Sequence, residues 1–402
     1  MVKRLPRSIW ALGIVSLLMD VSSEMIHGLL PVFLVTVLGA STITVGLIEG
    51  VGDAATAFTK LFSGVLSDAL GKRKALVALG YGMATLSKPF FAMAPSPGWV
   101  LGARFADRVG KGLRGSPRDA LVADLVEPEQ HGAAYGLRQA LDNVGAFVGP
   151  LLAIALMAAF AGQFRLVFWL SVVPGAAAVA VLLLFVREPP RRAGGREHRP
   201  RIDRRALGRL GGLFWGVVAV GAVLTLARFS EAFVILAAEG RGLAAMLAPL
   251  VLVAIHVVSS ASAYPAGLVG DRIDKRIVLA VGFGALIAAD LVLALSSSMA
   301  ALWAGVALWG LHLGLTQGLL SALVADTAPE ELRGTAFGVF HMATGFALLA
   351  ASVLAGALWA MLGPQATFFG GALFAGLGLL GYVLFGPGAQ GGQGGGDEKP
   401  QP

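Results

Sequence analysis

The chain has 402 residues, 56% of them hydrophobic and 14% charged, with a net charge of +7. A soluble protein of that make-up would expose apolar patches well beyond the few hundred Å² that monomers tolerate, so lipid is the solvent for most of the chain. The absence of cysteine excludes disulfides, thiolate metal sites and thiol nucleophiles. The basic residues fall in short clusters between apolar runs, which points to membrane topology and not to nucleic acid.

Twelve apolar segments follow one another, at roughly 8–38, 44–70, 74–95, 98–122, 131–160 and 164–186, then 209–238, 243–269, 276–296, 299–324, 332–362 and 364–386. Each reaches the ~20 residues that cross hydrocarbon as a helix. Lys3, Arg4, Arg7, Lys72, Arg73, Lys74, Arg272, Lys275 and Arg276 lie in alternate loops, and so do the many arginines of 187–209. The opposite loops hold little beyond Arg165 and Arg241. This asymmetry predicts that both termini are cytoplasmic, in a bacterial inner membrane. The expected organisation is an N-terminal bundle over 1–187, a cytoplasmic linker over 188–208, a C-terminal bundle over 209–386 and a disordered tail over 387–402.

Charge inside the segments is concentrated in the first half. In the first segment, Asp20, Glu24 and His27 are four and three apart, so they share one helical face. They lie ~17–27 Å along the axis from Ile9, which places the carboxylates near mid-bilayer. An ionisable group there is a functional candidate by default. Two uses compete: Asp20 or Glu24 exchanges protons or binds a cationic substrate, or all three residues ligate a divalent cation. A purely structural role, pairing with Arg104 or Arg108, is the third reading. The second segment adds Glu49, Asp53 and Lys60, and the third adds Lys88. Asp53 and Lys60 are seven apart on one face and so are candidates to line a cavity. The fourth segment carries Arg104, Asp107, Arg108, Lys111, Arg114 and Arg118, the last two expected at the membrane interface. Arg138 with Asp142, and Arg228 with Glu231, have the spacing of self-neutralising helical pairs. His256, Asp290, His312 and His341 are isolated in the second half.

The two halves repeat each other. Gly64–Lys74 reads GVLSDALGKRK and Gly267–Ile277 reads GLVGDRIDKRI, and 267−64 gives an offset of 203. ALVAD occurs at Ala120–Asp124 and again at Ala322–Asp326, and HGAAYG at His131–Gly136 matches RGTAFG at Arg333–Gly338, both at an offset of 202 (322−120 and 333−131). Ordered repeats of this kind typify secondary transporters.

The loop Gly64-x3-Asp68-x2-Gly71-x-Arg73-Lys74 resembles the signature between helices two and three of the major facilitator superfamily. The degenerate copy containing Gly267, Asp271 and Arg272 stands where that family repeats it. The resemblance implies an all-α membrane protein with twelve transmembrane helices in two pseudo-symmetric six-helix bundles. It also implies that Asp68 latches the first half to the start of helix eleven near Arg333. Gly136-x8-Gly145-x3-Gly149-Pro150 is similar to the family's helix-five antiporter motif, with Ala153-Ile154 in place of its closing glycine pair. Arg108-x2-Lys111-Gly112 is similar to a helix-four motif whose arginine is linked to proton transfer, with Lys111 where glutamine is usual and Arg104 a rival for the role. The expectation is a proton-coupled antiporter that exports a drug or metabolite, with no enzymatic activity and no cofactor. Its partners would be a small-molecule substrate, protons and the lipid bilayer, and it would act as a monomer. The alternatives are a divalent-metal exporter using Asp20, Glu24 and His27, and a proton-symport importer of a small organic anion. No Gly-x4-Gly-Lys-Ser/Thr motif is present to bind a nucleotide.

Overall fold

The computed structural model describes residues 5–70, 72–127, 130–188, 208–270, 275–329 and 332–385. Those residues are almost wholly helical. Helix α1 runs over Arg7–Val37, as an α-helix to His27, a short turn at Leu30–Val32 and a π-helical turn at Phe33–Val37. It is followed by α2 (Thr42–Leu70), α3 (Arg73–Met93), α4 (Pro97–Asp124), α5 (His131–Ala159) and α6 (Phe164–Phe185, with a break at Ser171). The second half holds α7 (Gly212–Gly240), α8 (Pro249–Gly270), α9 (Lys275–Leu295), α10 (Met299–Thr327), α11 (Arg333–Leu362) and α12 (Pro364–Phe385). Most of the expected linker and tail lie outside the described residues.

Local sequence sets the ends of these helices. Pro97 opens α4, where its fixed φ fits and its missing N–H is no loss. Ser298 caps α10 by accepting a hydrogen bond from the Ala301 amide at 3.1 Å. Gly363, at φ +90°, makes the tight reversal into α12, a conformation that only glycine adopts freely.

Among the described residues, nine helices are long and apolar enough to cross a membrane. The long helices left out are α2, α3 and α4, which carry most of the interior charge. Several of their large apolar residues are exposed, Phe58, Phe62, Leu79, Leu86 and Phe105 among them. A helix whose outer face is apolar and whose inner face is charged has low mean hydropathy yet still presents hydrocarbon to lipid.

The packing order repeats. In the first half α1 packs on α5 and α6, α2 on α4, and α3 on α4 and α6. In the second half α7 packs on α11 and α12, α8 on α10, and α9 on α10 and α12. The duplication read from the sequence is therefore a duplication of the bundle. The halves meet along two related seams, α2 against α11 and α5 against α8. The first seam is the longer: Gly50 lies against Leu349, Gly345 against Ala57, and the Thr42 hydroxyl donates to the Gly356 carbonyl at 3.1 Å. At the end remote from the basic loops, a Cβ on Gly28 would sit 2.8 Å from Cβ of Pro249, so α1 and α8 are closed together there.

Candidate functional site

Arg104, Arg108, Lys111, Arg114 and Arg118 recur every three or four residues, with Asp107 beside Arg108, and line one face of α4. That face looks into the first bundle, where Arg104, Asp107, Arg108 and Arg114 are buried. Lys88 of α3 donates to Oδ1 of Asp107 at 2.8 Å and to the Ser23 hydroxyl at 3.1 Å. Arg104 donates to Oε2 of Glu49 at 2.5 Å. The stems of Arg104 and Arg108 run across α2 at Gly52, where a methyl would stand 3.2 and 3.1 Å from them. The Thr56 hydroxyl donates to the Arg108 carbonyl at 3.2 Å and pins α2 to α4 at the same level.

Lys111 differs from the other residues of this face. It is exposed although its neighbours on the face are buried. It lies 13 residues before Asp124, so it is ~20 Å along α4 from the basic end. Exposure of an inward-facing side chain at that depth marks a central cavity open to solvent. Lys60 of α2 is exposed too, with its stem 3.8 Å from where a Gly115 side chain would begin. Asp53, one helical face along from Lys60, is half-buried.

On α1, Asp20, Glu24 and His27 are all half-buried. Nδ1 of His27 lies 3.3 Å from Oε2 of Glu24, and its Nε2 lies 3.9 Å from Oε2 of Glu49. Glu24, His27, Glu49 and Arg104 thus form a continuous line of ionisable groups from α1 through α2 to α4. One oxygen of Glu49 faces both His27 and Arg104. The other, Oε1, is buried without a hydrogen-bond partner, as are Nε of Arg104 and of Arg108.

The glycines of α5 seat α1 at this level. A methyl on Gly145 would stand 2.6 Å from the Leu17 carbonyl oxygen and 2.9 Å from Cβ of Asp20. A methyl on Gly149 would stand 2.7 Å from Cβ of Glu24 and 2.9 Å from the Val21 carbonyl oxygen. Pro150 follows, buried inside the helix. The residues resembling the antiporter motif therefore lie directly against the acidic face of α1.

Several expectations change. Among the described residues no group of three or more His, Asp or Glu side chains could hold a metal ion, so Asp20, Glu24 and His27 do not form the divalent-cation site considered above. His27 turns its two ring nitrogens to Glu24 and Glu49 instead. Arg104 is neutralised by Glu49, not by the α1 carboxylates. Arg114 is not interfacial: it is buried, with its guanidinium 4.6 Å from the centre of the Tyr81 ring. Arg118 does pair with Asp119, at 3.3 Å, and also donates to Ser16 at 3.1 Å. Arg138 and Asp142 pair as spaced, at 2.5 Å. Arg228 and Glu231 flank a break in α7, between Ala227 and Ala232, and Glu231 is the largest opposite charge acting on Arg228.

In the gating loop, Gly64 lies on α2 with Ser116 of α4 as its neighbour. Arg73 donates to Asp124 and to the Ala120 carbonyl, joining α3 to the end of α4 within the first half. Gly71, Asp271 and Arg272 lie outside the described residues. So do the side chains of Asp68 and Arg333, although their backbones lie in α2 and α11, and Gly267 lies in the last turn of α8.

Sequence reasoning placed Glu49, Lys88 and Asp107 in the membrane but did not pair them with their partners. Those partners lie 55 residues (Glu49–Arg104) and 19 residues (Lys88–Asp107) away in the chain. No local spacing reports such a contact.

Comparison with known proteins places these features in a family. The sequence model of the Major Facilitator Superfamily matches residues 12–343 and 250–402. An uncharacterized MFS-type transporter of Methanocaldococcus jannaschii is 30% identical over 93% of this chain and 93% of its own length. The multidrug resistance protein MdtH of Yersinia enterocolitica is 29% identical over 39% of this chain and 38% of its own. Among solved structures, a bacterial homolog of the human lysosomal transporter Spinster, in an inward-facing and unoccupied conformation, superposes with a TM-score of 0.73 at 16% identity, covering 94% of each chain.

Proposed function

The chain belongs to the major facilitator superfamily of secondary transporters, and on that premise we propose that it is a proton-coupled antiporter that exports a small solute. The observation that carries this reading is the seating of Asp20 and Glu24 against Gly145 and Gly149, beside a cavity that exposes Lys111 and Lys60. Carboxylates held in a bundle interior within reach of water are suited to exchanging a proton for a substrate. Other charge in the first bundle is already paired. Glu49 with Arg104 and Lys88 with Asp107 hold α2, α3 and α4 together and leave Asp20, Glu24, Asp53, Lys60, Arg108 and Lys111 to face the substrate.

In this mechanism solute and proton compete for the acidic face of α1. The His27–Glu49–Arg104 line communicates the state of Glu24 to α2, the helix that bears most of the seam with α11. The halves, residues 1–187 and 209–386, rock about that seam while all twelve helices cross the inner membrane with both termini in the cytoplasm. The Asp68 loop latches the halves at the cytoplasmic end. The partial likeness to a multidrug resistance protein supports export over import.

The test is counterflow in proteoliposomes, using solutes first selected by their effect on thermal stability. Uptake should follow an imposed pH gradient and lose that dependence in Glu24→Gln or Asp20→Asn. Solute movement indifferent to every imposed pH gradient overturns the coupling.

A further inference from the structure

The repeat can be followed to single atoms. In the first half Gly80 of α3 meets Gly110 of α4, where a methyl on Gly80 would stand 2.7 Å from the Gly110 carbonyl oxygen. In the second half Nδ1 of His312 on α10 lies 2.9 Å from the Gly282 carbonyl oxygen on α9. These are the same two positions, since 282−80 and 312−110 are both 202. The register carries Lys88 onto Asp290 and Asp107 onto Trp309, because 290−88 and 309−107 are also 202. The first half therefore buries an ion pair where the second half buries an acid and an indole.

The acid has no counterpart to the lysine. Asp290 is 0% exposed, and neither carboxyl oxygen has a hydrogen-bond partner. Trp309 is also 0% exposed, and its Nε1 is unpartnered. The walls are apolar and tight. A methyl on Gly371 of α12 would collide with Oδ2 of Asp290 and come within 3.0 Å of Cε1 of Phe229. Phe229 packs on Trp309 and on Phe368 with ring centres 5.1 and 5.7 Å away. From α10 the nearest titratable group along the Trp309 face is His312, one turn on, whose Nδ1 is taken up by Gly282. From α7, Arg228 and Glu231 flank Phe229 at the helix break. The face of α12 at Gly371 offers no charge, and the neighbours of Asp290 on α9, from Ile287 to Leu293, are apolar. A bare carboxylate in such a place has neither a counter-charge nor a hydrogen bond made to it to stabilise it.

We propose that Asp290 is a proton-binding site of the second half, occupied in this conformation, where the first half has the Lys88–Asp107 ion pair. The bound proton makes the carboxyl neutral and gives it one O–H donor. The site is shut by α7, α10 and α12, so release of the proton requires the α7 break at 228–231 or the Gly371 face of α12 to move away. It is distinct from the acidic face of α1 and does not depend on the identity of the solute.

Infrared spectroscopy of the full-length protein in lipid nanodiscs tests this. At neutral pH the wild type should show the carbonyl stretch of a protonated carboxylic acid. Asp290→Asn should lose that band, whereas Asp20→Asn and Glu24→Gln should keep it. A wild-type spectrum without any such band sensitive to Asp290 overturns the proposal. Should Asp290→Asn fail to fold, carboxyl-13C-aspartate labelling of the Asp20→Asn protein decides instead: a protonated-acid band that shifts with the label supports the site, and its absence overturns it. The band is read without transport, so failure of the antiport mechanism and failure of this site are separate results.

Discussion

Glu49 makes two charge contacts in the interior. It neutralises Arg104, faces His27 and is 1% exposed. Removing one member of a buried ion pair strands the other, at a cost of about 3–5 kcal/mol, whereas replacing both with apolar residues of similar volume is often close to neutral. Glu49→Gln and Arg104→Gln should each lower unfolding stability in detergent by about that amount. Glu49→Leu combined with Arg104→Leu should lose less than the two single losses added together. Strict additivity in the double-mutant cycle would show that the pair is not energetically coupled. Lys88 and Asp107 should behave in the same way, with Lys88→Met the most damaging single change because Asp107 is then left buried without its cation. The presence of these residues in the membrane was legible in the sequence, since charge in an apolar run stands out. Their partners were not, because pairing joins different helices. The same limit misplaced Arg114, whose position near a helix end suggested lipid headgroups, while its packing on Tyr81 depends on where α3 runs.

At the scale of elements, the seam between α1 and α5 is set by glycine. Gly145 and Gly149 bring the α5 backbone against Leu17, Asp20, Val21 and Glu24, whereas Gly136 on the same helix has open space where its Cβ would be. Gly149→Ala must push α1 away, because the added methyl would stand 2.7 Å from Cβ of Glu24. Misplacing a proton-exchanging carboxylate by about 1 Å is enough to cost on the order of 100-fold in a positioned reaction. Exchange by Gly149→Ala and Gly145→Ala in proteoliposomes should therefore fall steeply, with Gly136→Ala as the control that keeps wild-type rates. Equal activity in all three would remove the α1–α5 seam from the mechanism. The glycine spacing was visible in the sequence, but the helix it serves was not. Helices α2, α3 and α4 illustrate the converse. Their mean hydropathy is low, yet read as apolar segments with polar residues in mid-span they were placed within a few residues. Periodicity and charge asymmetry survive interior charge better than mean hydropathy does.

The whole molecule is two copies of one packing order joined at α2–α11 and α5–α8. If transport is rocking of the halves, a covalent link across the seam must stop it and a link within one half must not. The cysteine-free chain makes this test clean. Gly13 and Leu141 lie within the first half with Cβ positions 3.8 Å apart, the mean separation in natural disulfides. Gly28 and Pro249 face each other across the halves at the closed end, with Cβ positions 2.8 Å apart, which a small parting of α1 and α8 brings into the bonding range. The Gly28→Cys, Pro249→Cys protein should lose exchange on oxidation and recover it on reduction. The Gly13→Cys, Leu141→Cys protein should transport equally well in both states. Transport that persists with the Gly28–Pro249 link formed would mean that the end now closed never opens. The solute would then have to move by a route other than alternate exposure of the cavity beside Asp20 and Glu24.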